Sequence, residues 1–290
     1  MLTYETHKTI QEFYEALKSK DNETIEKNAV IELLDYIMDQ RNSELQYILP
    51  HKTTLYRARQ INTNTAYKDA KCGLNAYYDD QNVFRCKGYN YYASKEPPLS
   101  VSNDGRNNIA GTSYLYLAGE EYTACAEINP TIRGLISLSK FEVVKDLKLI
   151  NFYDKVDDYS KPDFIKKYKV YPHQIMNEIF SVFSRIHKNN SSYYITQYIS
   201  DYIRKAGYDG IKYWGAANYG TNYTIFNCHK SNIKFLDSKI IATYGVNYNF
   251  IDLCSEKQLK QPKNGNVNIT NLKRQLVRNI RLAREENKND

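Results

Sequence analysis

The chain has 290 residues, of which 42% are hydrophobic and 25% are charged, the balance of a globular protein with enough apolar material for a core. No stretch approaches the roughly 20 apolar residues of a membrane span. The N-terminus lacks the apolar segment of a signal peptide. We therefore expect a cytoplasmic protein with one large domain, or with one domain and an appended module.

The charge and the cysteines restrict the classes of partner and cofactor. A formal net charge of +7 favours anionic partners such as nucleotides, nucleic acid or an acidic protein. The five cysteines are scattered and include no CxxC pair, which argues against a disulfide framework and a zinc site. The five histidines show no HxxxH or HExxH spacing. We expect no bound metal.

Residues 1–50 are predicted to form a helical N-terminal extension. Thr9 and Glu12 fit a capping box, and apolar residues follow at helical spacing: Ile10, Phe13, Tyr14 and Leu17. A second helix is predicted from about Glu23. A helical pair without polar clusters is more often scaffold or partner surface than a catalytic site.

Residues 53–240 are predicted to be the main domain. Strands are predicted in 53–61, 113–118, 135–144, 147–153, 207–214 and 223–227, and helices in 174–188 and 191–206. A short helix carrying Glu127 stops at Pro130, and Gly207 ends the helix of residues 191–206. Residues 62–104 are polar and irregular and are predicted to be long loops. Strands and helices mix without regular βαβ alternation, which favours an α+β fold.

Residues 241–290 are predicted to be a C-terminal segment with a basic amphipathic helix. Its apolar stripe is Leu272, Leu276, Ile280 and Ala283, and basic residues surround that stripe: Lys273, Arg274, Arg278 and Arg281. Such a helix more often packs on its own domain than binds nucleic acid. We therefore expect the tail to contribute mainly to stability or solubility.

One stretch, Gly105 to Pro130, brings three chemically distinct residues close together in the chain. Arg106 stands in a Gly-Arg-Asn turn, Tyr116 follows in a short strand, and Glu127 follows in a short helix. An arginine binds carboxylate or phosphate through two parallel hydrogen bonds, and backbone N–H groups of the turn suit a pyrophosphate. Tyr114 and Tyr116 share a face of their strand, so one of them can lie against a planar ring.

Together these residues suit the cleavage of the bond between ribose and nicotinamide in NAD. That reaction passes through an oxocarbenium-like state, and a carboxylate stabilises its positive charge. The arginine would hold the phosphates and the aromatic ring the leaving group, without a metal or a second cofactor. Taken singly, however, a lone arginine in a turn or a glutamate on a helix is more often a solvated surface residue.

The chain also resembles a known family, the RES-domain toxins, named for arginine, glutamate and serine. The resemblance runs in family order through LYRAR (55–59), GRNN (105–108), YLYLA (114–118), ACAEI (124–128), YITQYISDYIRKAGYDGIKY (194–213) and NYTIFN (222–227). It implies an ADP-ribosyltransferase-like mixed β core with surrounding helices, which degrades NAD as its substrate. Family members usually act as toxins that a helix-turn-helix antitoxin inhibits, so a cognate antitoxin is the implied protein partner.

The resemblance also implies site residues. Arg57 and Arg106 match the family's arginines, Tyr116 its strand tyrosine and Glu127 its glutamate, and Asn108 belongs to the same turn motif. The family serine is absent, because Trp214 and Gly215 stand where it is expected. The polar residues that could replace it beside the ribose are Asn218, Thr221 and Asn222. We expect Asn222 or Thr221 to do so, although the loop could also be a simple turn between strands.

Three functions remain open at this point. The first is an NAD glycohydrolase or phosphorylase acting as a toxin, and the second is an ADP-ribosyltransferase that modifies a macromolecule. The third is a non-enzymatic nucleic-acid binder, which the charge favours but no recognised motif supports. The sequence leaves open the acceptor of ADP-ribose, the inhibitor and the formation of a homodimer.

Overall fold

A computed structural model of the chain describes residues 4–39, 45–61, 73–82, 84–153, 162–184, 193–215, 217, 220–229 and 231–243. Its helices are α1 (Tyr4–Ser19), α2 (Asn22–Lys27), α3 (Ala29–Met38), α4 (Tyr91–Ser94), α5 (Glu121–Glu127), α6 (Pro162–Tyr168), α7 (Pro172–Ser184) and α8 (Tyr194–Lys205), with a 3-10 helix at Leu99–Val101. Its strands are β1 (Gln46–Leu49), β2 (Thr54–Gln60), β3 (Leu74–Tyr78), β4 (Phe84–Tyr89), β5 (Leu115–Ala118), β6 (Leu135–Val143), β7 (Leu147–Phe152), β8 (Gly210–Trp214), β9 (Thr221–Ile225) and β10 (Ile233–Ala242).

Eight of these strands form one mixed sheet in the order β1-β7-β8-β9-β5-β2-β6-β10. Strands β7 and β8 run parallel, and the other neighbours are antiparallel. Strands β3 and β4 form a separate antiparallel pair. The predicted α+β class, with a mixed sheet and surrounding helices, is confirmed.

The N-terminal helices pack on the helices that cover one face of the sheet. The ring of Phe13 in α1 meets the ring of Tyr198 in α8 edge-on, with 5.7 Å between centroids. The hydroxyl of Tyr202 in α8 donates to Asp35 of α3 at 2.6 Å. Buried residues of α1, α3, α7 and α8 join those of β7 and β8 in a single apolar cluster. The predicted N-terminal helical stretch is therefore present and shares the core of the sheet.

The predicted capping box at Thr9 and Glu12 is wrong. Helix α1 already includes Tyr4, so Thr9 lies inside it, where its hydroxyl donates to the carbonyl of Glu5 at 2.9 Å. Thr6, one turn earlier, is fully buried. Because this earlier turn is buried, the helix begins before Thr9. The packing of the turn outweighs the weak preference of Thr9 for the N-cap position.

The predicted long loop of residues 62–104 is also wrong for its second part, which contains β3, β4 and α4. Strand β4 docks on the main sheet: Tyr89 N donates to Ser137 Oγ at 2.7 Å, and Ser238 Oγ donates to Tyr89 O at 2.7 Å. A Cβ at Gly88 would lie 2.5 Å from Ser137 Oγ, so glycine permits this close approach. The residues that hold β4, Ser137 and Ser238, are distant from it in the chain. The local sequence pattern therefore did not predict this strand.

The described residues all belong to one compact unit, Met1–Tyr244. The predicted basic helix of residues 241–290 lies almost wholly outside the described residues, which end at 243. Among the helices that the structure describes, none is long and apolar enough to cross a membrane. Within the same residues, no three side chains of His, Cys, Asp or Glu come together as a metal-binding group.

Candidate active site

The Gly105–Asn108 turn is closed by its own backbone and by Tyr116. Gly105 N donates to Asn108 O at 2.8 Å. The hydroxyl of Tyr116, in β5, donates to Asn108 Oδ1 at 2.7 Å and accepts from Asn107 N at 3.0 Å. A Cβ at Gly105 would lie 2.4 Å from Asn108 Oδ1 and 2.8 Å from that hydroxyl. The turn thus requires glycine for steric reasons, and the predicted tyrosine is its anchor.

Helix α8 holds the same turn from the other side. Gln197 Nε2 donates to the carbonyls of Gly105 at 2.9 Å and Asn108 at 3.1 Å. The hydroxyl of Thr196 donates to the carbonyl of Arg106. Asn108 is engaged within the turn as well, because its Nδ2 donates to Thr112 O at 2.7 Å. Asn108 therefore positions the turn, and its predicted direct contact with NAD stays a prediction.

Arg106 is half-buried and lies between the end of α7 and the start of α8. Its Nη1 donates to the carbonyl of Phe183, and its Cζ lies 5.9 Å from the ring centroid of Tyr193. The guanidinium also interacts electrostatically with the phenols of Tyr116 and Tyr213. The structure thus places the predicted arginine and the predicted tyrosine together.

Tyr213, in β8, is a buried residue whose phenol is influenced by the charges of Arg106 and Glu127, and sequence reasoning missed it. The residue is only 4% exposed, and burial raises the pKa of its phenol. The charge of Arg106 acts in the opposite direction, whereas that of Glu127 raises the pKa further. Both charges therefore act on this one phenol. The sequence contained a pattern that could have identified Tyr213. Residues alternate between the two faces in the strand GIKYW, which places Ile211 and Tyr213 together on the inner face.

Asn107 is a second residue that the sequence analysis did not identify. It is fully buried, and its Nδ2 donates to Thr224 Oγ1 at 2.7 Å. The hydroxyl of Thr224 lies 3.4 Å from that of Tyr213. No hydrogen-bond partner of Asn107 Oδ1 occurs among the described residues. A buried polar chain therefore connects the arginine turn to the tyrosine of β8, and such chains fix side chains in place.

Glu127 is the last residue of α5, and its half-buried carboxylate reaches the connection between β8 and β9. Its Oε1 accepts from Ala217 N at 3.3 Å. Gly215 N donates to Gly220 O at 2.7 Å, which closes the base of this connection. The carboxylate therefore lies beside the segment in which the family serine is expected.

Asn222 and Thr221 differ in their surroundings. Asn222 is 5% exposed and is paired with Ala118 on one side and Tyr213 on the other, so it shares their face of the sheet. Thr221 is half-buried at the start of β9. The third polar candidate, Asn218, lies outside the described residues. The position of Asn222 beside Tyr213 places it in the candidate site.

Arg57, in β2, is held by the end of α4. Strand β2 pairs with β5 through Tyr56 and Ala118, so Arg57 starts on the opposite face from Tyr116. Its Nη1 donates to the carbonyls of Ser94, at 2.6 Å, and Lys95. Burial, together with the charge of Arg59, lowers the pKa of Arg57 to about 10. Arg57 is thus bound to the carboxyl end of α4, and the charge of Tyr116 also acts on its pKa. Its predicted role in binding NAD stays a prediction.

The arrangement combines a half-buried guanidinium, the buried phenol of Tyr213, the half-buried phenol of Tyr116 and a half-buried carboxylate, next to a turn held from both sides. Fixed groups of this kind, removed from bulk water, stabilise charge that develops on a bound molecule. The carboxylate suits a developing positive charge, and the guanidinium suits an anionic group.

Comparison with known proteins identifies a family for this chain. The profile of the RES domain matches residues 82–243, more than half of the chain. Among solved structures, the chain is similar to the M. tuberculosis MbcT–MbcA toxin–antitoxin complex, with 13% identity and a TM-score of 0.36 over 72% of this chain and 92% of that one. No curated protein gives a match. The matched range includes Arg106, Tyr116 and Glu127 and begins after Arg57.

Proposed function

This chain belongs to the RES-domain family, and from that premise we propose that it is a toxin that cleaves the bond between nicotinamide and ribose in NAD. The observation that carries the proposal is that Tyr116 anchors the turn of Arg106, while Glu127 reaches the connection between β8 and β9. These three residues match the family motifs, although they come from a turn, a strand and a helix.

In the proposed reaction, Glu127 stabilises the positive charge that develops on the ribose as the bond to nicotinamide breaks. The electron pair of that bond leaves with nicotinamide, and water or phosphate then adds to the ribose carbon. Arg106, held by the carbonyl of Phe183 and lying near the ring of Tyr193, is suited to an anionic part of NAD. Every step uses groups of this chain and the acceptor, with no metal.

Glu127→Gln tests this proposal, with Glu121→Gln as the matched control. Both residues lie in α5, and Glu121 is an exposed residue whose carboxylate pairs with Lys239 at 2.7 Å. Glu127→Gln keeps the shape and removes the charge, so we expect nicotinamide release to fall by about 10²–10³. Glu121→Gln should retain normal release. An unchanged rate in a folded Glu127→Gln protein would refute the role of Glu127.

The products identify the acceptor. Chromatography of reactions with and without inorganic phosphate separates ADP-ribose from its phosphorylated form. Label transferred to a macromolecule in a cell extract would instead favour the alternative, an ADP-ribosyltransferase. Wild-type protein that releases no nicotinamide under any of these conditions would refute the proposed activity. As a toxin of this family, the protein would act on the cytoplasmic NAD pool and would be paired with an antitoxin.

A further inference from the structure

The two phenols of the candidate site, those of Tyr116 and Tyr213, differ in how their hydroxyl protons are used. The hydroxyl of Tyr116 has a single proton, which it donates to Asn108 Oδ1 at 2.7 Å. The hydroxyl of Tyr213 instead accepts from Thr224 Oγ1 at 3.4 Å. Among the residues that the structure describes, no group accepts the proton of Tyr213. Tyr213, rather than Tyr116, therefore has a hydroxyl proton available for a bound molecule.

The hydrogen bonds around Tyr213 run in one direction, from Asn107 and Thr224 to the phenol. Asn107 Nδ2 donates to Thr224 Oγ1 at 2.7 Å, so the hydroxyl proton of Thr224 can be donated to Tyr213. Burial raises the pKa of Tyr213, whereas hydrogen bonds with Thr224 and Asn107 lower it, which is the effect of donors to a phenol oxygen. Because both neighbours act as donors, the proton of Tyr213 requires a different acceptor.

Asn107 presents an unused acceptor beside this unused donor. The residue is fully buried, and none of the described groups donates to its Oδ1. A buried carbonyl oxygen without a hydrogen bond is costly, so its presence in a candidate site indicates that a bound molecule completes the bond. The Asn107 side chain interacts with both Thr224 and Tyr213. The acceptor of Asn107 and the donor of Tyr213 are therefore neighbours.

We infer that Tyr213 and Asn107 together bind the carboxamide group of nicotinamide. The inference rests on the proposed function and names the residues that recognise the leaving group. A primary carboxamide presents a carbonyl oxygen and N–H donors side by side, so its oxygen accepts from Tyr213 and its amino group donates to Asn107 Oδ1. Aromatic rings nearby suit the planar pyridine: the ring centroid of Phe183 lies 5.9 Å from that of Tyr213, and Tyr193 lies beside Arg106.

NMR titration with free nicotinamide and with 3-acetylpyridine tests this pair without turnover. The acetyl group keeps the carbonyl oxygen but has no N–H, so wild-type protein should bind 3-acetylpyridine at least about tenfold more weakly. Asn107→Ala should bind the two compounds equally, because the acceptor that distinguishes them is removed. Tyr213→Phe should weaken the binding of both and keep the preference, because both compounds have the carbonyl oxygen. Asn103→Ala, on an exposed asparagine near the turn, is the control and should keep the wild-type preference.

The outcomes separate this inference from the proposed function. Wild-type protein that binds neither compound or binds both equally would overturn the inference, and so would an Asn107→Ala protein that keeps the preference. The wild-type comparison needs no variant, so it decides the matter even if Asn107→Ala does not fold. If the wild type releases nicotinamide from NAD but shows no preference, the inference is wrong and the proposed function stands. If the wild type releases none but shows a preference that depends on Asn107, the carboxamide site stands and the proposed function fails.

Discussion

The hydroxyl of Tyr116 donates a hydrogen bond to Oδ1 of Asn108 at 2.7 Å, across eight positions of the chain. The same hydroxyl accepts from the backbone of Asn107 at 3.0 Å. One phenol thus satisfies a side chain and a backbone group of the turn that carries Arg106. The tyrosine that the sequence predicts as a site residue therefore has a structural role in the turn.

Tyr116→Phe should destabilise the protein as well as lower its activity. Removing the hydroxyl leaves Asn107 N–H and Asn108 Oδ1 without this partner, which costs about 1–3 kcal/mol of unfolding free energy. Urea denaturation measures the change. Tyr122→Phe, on an exposed tyrosine of α5, is the control and should be neutral. Equal stability of Tyr116→Phe and wild type would show that water replaces the hydroxyl.

Gly105→Ala should displace the turn. Its Cβ would meet Asn108 Oδ1 at 2.4 Å and the hydroxyl of Tyr116 at 2.8 Å, so at least one of these groups has to move. We expect a loss of about 1–3 kcal/mol in stability, together with reduced nicotinamide release. Gly119→Ala is the matched control, because its nearest contacts are at 3.6 Å. Thermal melting of both variants measures the difference in stability. A normal melting temperature for Gly105→Ala would contradict the close packing of Gly105 against Asn108 and Tyr116.

Stability should decline at alkaline pH because several buried groups bind their protons more tightly in the folded protein. Burial raises the pKa of Tyr116 and Tyr213, and it raises that of the Cys228 thiol to about 12. In the unfolded chain a tyrosine titrates near about 10. An unfolded thiol titrates near about 8.5. The unfolded state therefore loses protons first, and the stabilisation that is complete below about pH 7.5 decreases as the pH rises through about 8.5 and 10.

Urea midpoints between about pH 8 and 11 measure this decline. Tyr213→Phe removes one of the titrating groups, so its midpoint should fall less steeply with pH than that of the wild type. Equal slopes for the two proteins would show that Tyr213 does not contribute to the linkage.

Asn222→Ala should lower kcat/KM for NAD roughly tenfold if Asn222 replaces the missing serine. The expectation rests on its position beside Tyr213 on the inner face of the sheet. Thr221→Val is the companion variant, because Thr221 is the other described candidate. Normal turnover by both folded variants would make the serine's role dispensable here. If only Gly215→Ser releases nicotinamide from NAD and the wild type does not, the chain has lost its catalytic activity together with the serine.

Local sequence patterns determined where several helices and strands lie and which residues share a face of a strand. The apolar residues that recur every four positions predicted helix α8. Gly207 has a φ of 89°, and a residue in this left-handed conformation ends a helix. The pattern of alternating residues determined that Tyr114 and Tyr116 share a face of β5. Family motifs identified Arg106, Tyr116 and Glu127, since each motif is a short continuous stretch.

Only the tertiary structure decided how these pieces meet. Alternation fixes which residues share a face within one strand, but the pairing of Tyr56 with Ala118 decides that Arg57 and Tyr116 lie on opposite faces. The pairing of Tyr213 with Asn222 places these two residues side by side on the face of the sheet that also carries Tyr116. The pairing of β2 with β5 is limited to Tyr56 and Ala118, and it too joins segments that are distant in the chain. Strand register and separation depend on contacts between distant segments, so no local pattern records them.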